Sequence, residues 1–141
     1  MPAEHENIYK KRALGKRKDG VSYTAVVVDD SLFSRQVLKQ ILLSVEFNVT
    51  DEMDNGGTAV LKLENTRFPP DFLFIDVEMP VMNGIEVLKK IRHQLENTKI
   101  VMVTSHSDKE KVDELIKLGI NGYIKKPYDR DTIIQLLLKL V

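Results

Sequence analysis

The sequence contains no cysteine among its 141 residues. It can therefore form neither a disulfide nor a thiolate metal site, which is consistent with a reducing cytosol. No apolar run approaches the roughly 18 residues that a membrane-spanning helix needs. The basic N-terminal segment lacks the apolar stretch of a signal peptide. We expect a cytoplasmic protein that does not associate with a membrane.

Motifs for nucleotide and calcium binding are also missing. No G-x-x-x-x-G-K-[ST] motif occurs, and no G-x-G-x-x-G motif follows the first predicted strand. The stretch DEMDNGG resembles a calcium loop, but Met53 occupies a ligand position and Lys62 stands where the closing glutamate belongs. These absences argue against a P-loop NTPase, a dinucleotide-binding protein and an EF-hand.

Excess charge of either sign is absent as well, since 21 basic residues balance 21 acidic ones. Residues 1–20 hold six basic and three acidic residues, so the remainder is mildly acidic. Such a body argues against direct binding of nucleic acid. We interpret residues 1–21 as a flexible basic tail, with a short basic helix that docks on an acidic partner as the alternative. Residues 22–141 form one predicted domain.

Apolar patterns in the predicted domain indicate five strands that alternate with five helices. The strands lie within TAVVVDD, FNVTDEM, DFLFID, KIVMVTS and INGYIKKP. The helices lie within SLFSRQVLKQILLSV, GGTAVLKLENTR, NGIEVLKKIRHQLEN, DKEKVDELIKLG and DRDTIIQLLLKLV. Continuous Val, Ile and Leu runs are typical of parallel strands that are covered on both faces. The prediction is a three-layer, doubly wound α/β fold with a five-stranded parallel sheet in the order 2-1-3-4-5.

Polar side chains follow the ends of four predicted strands. Asp29 and Asp30 follow the first strand, Asp76 ends the third, and Thr104 and Lys126 follow the fourth and fifth. Because strands one and three are neighbours in this order, three carboxylates are expected to meet at one edge of the sheet. Their mutual repulsion calls for a hard cation, and oxygen ligands favour Mg²⁺, with Mn²⁺ as an alternative.

These residue types together suit phosphoryl transfer. The carboxylate of Asp76 would be the nucleophile that becomes an aspartyl phosphate. Lys126 and the metal would offset charge on the phosphoryl oxygens, and Thr104 would donate a hydrogen bond. Helix capping alone explains one acid at a strand end, but it does not explain this whole set.

The sequence resembles the receiver domains of two-component response regulators, in particular the stand-alone, CheY-like chemotaxis type. The resemblance runs from Tyr23 to Val141 and is carried by VVVDD, FIDVEMPVMNG, VMVTS and GYIKKPY. It implies that Asp30, Asp76 and the backbone carbonyl of Glu78 bind Mg²⁺, with Asp29 acting mainly through water. It also implies a cis peptide bond between Lys126 and Pro127.

The same resemblance assigns further roles near the site. Thr104 and Tyr123 occupy the positions of the switch pair, although Tyr123 is alternatively an ordinary half-buried tyrosine. Ser105 stands where the family has another small residue, so access to Asp76 is expected to persist. His106 and Glu78 lie at rim positions that tune hydrolysis of the phosphate, although His106 is alternatively an exposed histidine without a kinetic role. Glu78 either repels an attacking group or orients water.

The expected output is a population shift of the face formed by helix four, strand five and helix five. Helix five carries more apolar residues than one buried stripe requires, so it is either deeply packed or exposes a patch to a partner. The resemblance implies a CheA-like histidine kinase as phosphoryl donor and a flagellar switch protein or other target protein as partner.

Three alternatives to a chemotaxis regulator stay open. Two belong to the same class: a phosphorelay intermediate, or the receiver fragment of a larger regulator. The third is a small phosphatase of the haloacid-dehalogenase type, which also uses an aspartate nucleophile and Mg²⁺. That type expects D-x-D on its first strand, whereas this sequence has Asp76-Val-Glu78 on its third. We therefore expect self-catalysed phosphorylation and dephosphorylation rather than enzymatic turnover.

Overall fold

The computed structural model describes residues 13–106 and 108–141. Within these ranges, strands and helices alternate along the chain. The strands are β1 Thr24–Val28, β2 Asn48–Met53, β3 Phe72–Asp76, β4 Lys99–Thr104 and β5 Gly122–Lys125. The helices are α1 Leu32–Ser44, α2 Gly56–Leu63, α3 Gly84–Ile91, α4 Lys109–Lys117 and α5 Arg130–Leu140, with a 3₁₀ turn at Arg92–Gln94.

The five strands form one parallel sheet in the order β2-β1-β3-β4-β5, which confirms the predicted fold. Alternate residues of each strand enter different cores. Val26 and Val28 face the core beneath α2, α3 and α4, whereas Ala25 and Val27 face the core beneath α1 and α5. The sheet is therefore the middle of three layers, and both of its faces are buried.

Two helices end earlier than the sequence segments within which they were predicted. Helix α2 stops at Leu63, since Glu64 is extended and Asn65 adopts a positive φ of 60°. Helix α3 stops at Ile91 and continues only as the 3₁₀ turn. Leu95 nevertheless remains buried, because the 3₁₀ turn directs it into the core.

Within residues 13–21, which belong to the segment predicted as a flexible tail, several residues contact the domain. Leu14 is buried, the Gly15 amide donates to the Val45 carbonyl at 2.6 Å, and the Tyr23 amide donates to the Gly15 carbonyl at 2.6 Å. The guanidinium of Arg17 pairs with Asp71 at 2.7 Å and lies over the ring of Tyr23. The sequence gives no sign of these contacts, because the segment lacks periodicity and its contacts are single tertiary ones. Residues 1–12 lie outside the described residues.

Helix α5 resolves the alternative that the sequence left open for its apolar residues. Ile133, Ile134 and Leu137 are buried, and Leu136, Leu138 and Leu140 are half-buried against the same core. A deeply packed terminal helix therefore accounts for them. None of the helices in the described ranges has the length and hydropathy needed to span a bilayer.

Candidate functional site

The predicted acidic residues meet at the carboxyl edge of the sheet. Parallel pairing sets Val28 of β1 level with Ile75 of β3, so the aspartates that follow each residue are neighbours. One carboxylate oxygen from each of Asp29, Asp30 and Asp76 lies within 4.8 Å of the others. Side chains that are far apart in the sequence thus form a cluster with the spacing of a cation site.

Lys126 places its ammonium group at this cluster. Its Nζ lies 2.9 Å from Asp29 Oδ2 and 3.3 Å from Asp76 Oδ2. Burial disfavours the charged lysine, but the hydrogen bond to Asp29 and the charge of Asp76 outweigh it and raise the pKa of Lys126. The lysine is therefore held cationic against the two buried aspartates. The Lys126–Pro127 peptide bond is cis, as the resemblance implied.

Asp76 is an acid in an environment that disfavours its charge. Only 4% of its surface is exposed. Burial first, and the nearby charge of Asp29 second, raise its pKa to about 7, although Lys126 opposes this rise. One ammonium group does not neutralise three carboxylates, so the cluster retains negative charge that a hard cation would offset.

The loop after β3 fixes the backbone beside Asp76. The Gly84 amide donates to the Val77 carbonyl at 2.9 Å, and a Cβ at position 84 would overlap the Asp76 carbonyl oxygen. Asn83 begins α3 with a capping box that Glu86 completes. In the same loop Val81 is fully exposed at a positive φ of 69°, which is strained for a β-branched residue. A glycine is required at position 84 because the backbone there lies close to the end of β3.

Arg35 holds the loop that carries the first two acids. Its Nη1 donates to the Asp29 carbonyl at 2.7 Å, and its Nε pairs with Glu52 of β2 at 3.2 Å. Lys39 also contacts Glu52, and the hydrogen bonds from Lys39 and then Arg35 lower the pKa of Glu52. Sequence reasoning missed Glu52 altogether, because no pattern along the chain reveals which cation a strand residue will face.

Thr104 ends β4, where its side chain is buried. Its hydroxyl lies 2.6 Å from Glu78 Oε1, and the Ser105 amide donates to the same carboxylate at 3.0 Å. Burial raises the pKa of Glu78, but the Thr104 hydroxyl and the Ser105 amide outweigh it, so the pKa is lowered overall. His106 is exposed at the rim, with Nε2 4.0 Å from Glu78. The structure thus gathers the predicted rim residues around Thr104.

Tyr123 lies in β5 in register with Met102 of β4. Its side chain is exposed to 40% and so projects from the domain instead of filling space behind Thr104. Ile116 of α4 is exposed to 59%.

Comparison with known proteins adds to this geometry. A family model described as the response regulator receiver domain matches residues 25–138. The chain belongs to this family. It is also similar to the chemotaxis protein CheY-3 of Vibrio cholerae, with 37% identity over 82% of this chain and 88% of that protein. A CheY of Halobacterium salinarum is 36% identical over 77% of this chain and 88% of its own length.

Solved structures agree with this assignment. The receiver is similar to a chain of the CheX–CheY–BeF₃–Mg²⁺ complex from Borrelia burgdorferi, with a TM-score of 0.86 and 30% identity. That match covers 92% of this receiver and 97% of that chain. A CheY4 structure from Vibrio cholerae gives a TM-score of 0.74 at 31% identity, covering 86% and 100% of the two chains.

Membership in this family narrows the functional alternatives. Because the chain is a receiver domain, the interpretation as a small phosphatase of the haloacid-dehalogenase type is abandoned. The receiver matches proteins named for chemotaxis at 32–37% identity. Receivers of this type are signalling proteins rather than classical enzymes, so this family supports a signalling role that depends on phosphorylation.

Proposed function

We propose that this receiver is a switch in which Asp76 accepts a phosphoryl group from a histidine kinase in the presence of Mg²⁺. One observation carries the proposal: the carboxylates of Asp29, Asp30 and Asp76 lie within 4.8 Å of one another, beside the ammonium of Lys126. A carboxylate in such a cluster is a nucleophile whose charge the lysine and a bound cation would balance as a phosphoryl group is transferred.

The side chains present fit a hard divalent cation. The cluster offers only oxygen ligands, and burial already disfavours the charge of Asp76. Asp30, Asp76 and the Glu78 backbone carbonyl would hold Mg²⁺, with Asp29 acting mainly through water. When bound, the ion would neutralise charge that develops on the phosphoryl oxygens.

The protein's own residues account for the remaining chemistry. An oxygen of Asp76 attacks phosphorus, and the new P–O bond forms as the P–N bond to the kinase histidine breaks. The electron pair of the P–N bond stays on the ring nitrogen, so a ring whose other nitrogen is protonated leaves as neutral imidazole. Lys126, 3.3 Å from Asp76 in the resting state, stabilises the transferred group, and Thr104 donates a hydrogen bond to it. The small side chain of Ser105 leaves access to Asp76 open, and His106 at the rim tunes hydrolysis.

The output would be a change at the face formed by α4, β5 and α5. Thr104 moves towards the phosphoryl group, and Tyr123 turns from its exposed position into the space that Thr104 leaves. The exposed Ile116 and Tyr123 lie on this face and support it as a binding surface. By its similarity to proteins named CheY, we infer a cytoplasmic chemotaxis role, with a CheA-like kinase upstream and a flagellar switch protein as target.

Phosphorylation by a small phosphodonor tests the central step. The protein is incubated with acetyl phosphate and Mg²⁺, and intact mass is measured. We expect one added phosphoryl group per chain, which is absent in Asp76→Asn and after EDTA treatment. Asp113→Asn, which removes an exposed carboxylate on α4, is the matched control and should be phosphorylated normally. Labelling that persists in Asp76→Asn would refute the assignment of Asp76.

Affinity capture with and without beryllofluoride tests the partners. Recovery of flagellar switch proteins only from the beryllofluoride-treated sample would support chemotaxis. Recovery of a histidine phosphotransfer protein from both samples would instead favour a phosphorelay intermediate.

A further inference from the structure

The carboxylate of Glu78 occupies the hydrogen-bond donors that line the site beyond Asp76. The Thr104 hydroxyl lies 2.6 Å from Glu78 Oε1. The Ser105 amide lies 3.0 Å from Oε1 and 3.2 Å from Oε2. Both donors therefore hold an anion that belongs to the protein itself, only two residues after the proposed phosphoacceptor.

Thr104 is not free to serve two anions. A threonine hydroxyl carries one proton, so it can donate only one hydrogen bond. The hydroxyl oxygen of Thr104 already accepts a hydrogen bond from the His106 amide at 3.0 Å. Its other acceptor within reach is the neutral His106 carbonyl at 2.9 Å. The carboxylate is the nearer acceptor and the charged one, so it makes the stronger bond. A phosphoryl oxygen must displace Glu78 before Thr104 can donate to it.

We propose that the Glu78 side chain is an internal competitor of the phosphoryl group, which holds Thr104 and Ser105 in the resting arrangement until phosphorylation takes both donors. This inference rests on the proposed function, because the competing anion arrives only with phosphorylation. Glu78 thereby acts on the switch equilibrium through Thr104, and it is a positioning residue. Its side chain is 31% exposed, so the displaced carboxylate can move into water.

The sign of one measurement separates this role from a structural one. If Glu78 merely supported the loop after β4, its removal would loosen the site and weaken binding of a phosphoryl mimic. If Glu78 competes for the donors, its removal strengthens that binding, because one charge-assisted hydrogen bond no longer has to be broken.

Beryllofluoride affinity in saturating Mg²⁺ tests the proposal by calorimetry. Glu78→Ala is expected to bind roughly tenfold more tightly than the wild type, as for the loss of one competing charge-assisted hydrogen bond. Glu78→Asp keeps the charge but is one methylene shorter, so it should also bind more tightly. Glu64→Gln removes an exposed acid at the end of α2 and is the control, with unchanged affinity. Amide NMR of the ligand-free proteins should show the Ser105 resonance displaced in both Glu78 variants.

Several results would overturn the proposal. Unchanged or weaker affinity in Glu78→Ala would show that no competition exists. If Glu78→Ala bound beryllofluoride more tightly but Glu78→Asp bound it like the wild type, the gain in affinity would come from loss of the negative charge and not from loss of the hydrogen bonds. A Ser105 resonance unmoved by either variant would show that the carboxylate does not hold this amide in solution. If neither the wild type nor any variant bound beryllofluoride, the proposed function itself would fall, and this inference with it.

Discussion

Replacing the proposed phosphoacceptor should stabilise the protein when no divalent cation is present. Asp76 is 4% exposed and lies within the carboxylate cluster, so its ionisation opposes folding. Asparagine has nearly the same shape and carries no charge. We therefore expect Asp76→Asn to have a higher free energy of unfolding than the wild type at alkaline pH, even though the substitution removes the phosphorylation site.

The size of this effect follows from the pKa of Asp76. Burial and Asp29 raise that pKa from 3.8 to about 7, which corresponds to about 4 kcal/mol between the charged and neutral forms. Because the folded state binds the proton more tightly, wild-type stability is greatest below the unfolded pKa. It declines as pH rises from about 4 and levels off above about 7. The advantage of Asp76→Asn should therefore be about 4 kcal/mol at pH 8 and close to zero below pH 4.

Urea unfolding followed by circular dichroism measures this difference. Wild type and Asp76→Asn are compared in EDTA at several pH values between about 3.5 and 8. Saturating Mg²⁺ should stabilise the wild type, by about 2.7 kcal/mol at a hundredfold excess over its dissociation constant. Mg²⁺ should stabilise Asp76→Asn less, so the difference in free energy of unfolding between the two proteins should become smaller. Asp113→Asn controls for the loss of one exposed negative charge.

Two results would refute this reasoning. Equal stability of wild type and Asp76→Asn in EDTA at pH 8 would mean that neither burial nor the charge of Asp29 disfavours ionisation of Asp76 in the folded protein. A difference that persists unchanged down to pH 4 would assign the effect to packing rather than to ionisation.

Three further substitutions test other parts of the structure by the same unfolding assay. Leu14→Ala should lower the free energy of unfolding by about 2 to 3 kcal/mol, because the Leu14 side chain is buried. Val21→Ala, at an exposed position, should lower it little. Equal effects of the two substitutions would contradict the packing of residues 13–21. Val81→Asn should add about 1 kcal/mol by relieving a positive φ at an exposed β-branched residue, and a loss of stability would show that Val81 makes contacts that matter. Arg35→Met should cost about 2 kcal/mol and weaken Mg²⁺ binding, since the Asp29 carbonyl loses its charged donor. Lys39→Met, which leaves that bond intact, should preserve Mg²⁺ affinity.

Most of the fold is predictable because its signals are local. Continuous apolar runs such as FLFI specify strands that are buried on both faces, and the helical spacing between them specifies the crossovers. Helix ends are less predictable. Helix α2 stops at Leu63 because the backbone turns at Asn65, whereas the sequence predicted that the helix lies within a segment that runs on to Arg67.

The acidic cluster is predictable for a topological reason. Once the strand order is known, the ends of β1 and β3 must be neighbours, so Asp29, Asp30 and Asp76 meet without further information. The partner of Thr104 is different. The sequence placed Glu78 at the rim, but whether it faced water, the metal or Thr104 depended on the path of two loops.

The sequence by itself determined the fold class, the strand order and the acids at one edge of the sheet. Periodicity and strand ends are properties of short segments, and the parallel topology converts them into positions. Only the tertiary structure decided that Leu14 packs beneath the sheet, that Arg35 donates a hydrogen bond to the Asp29 carbonyl, and that Glu78 accepts one from Thr104. Those contacts join segments with no shared pattern, and their energies depend on distances of a few ångströms that appear only after the layers have packed.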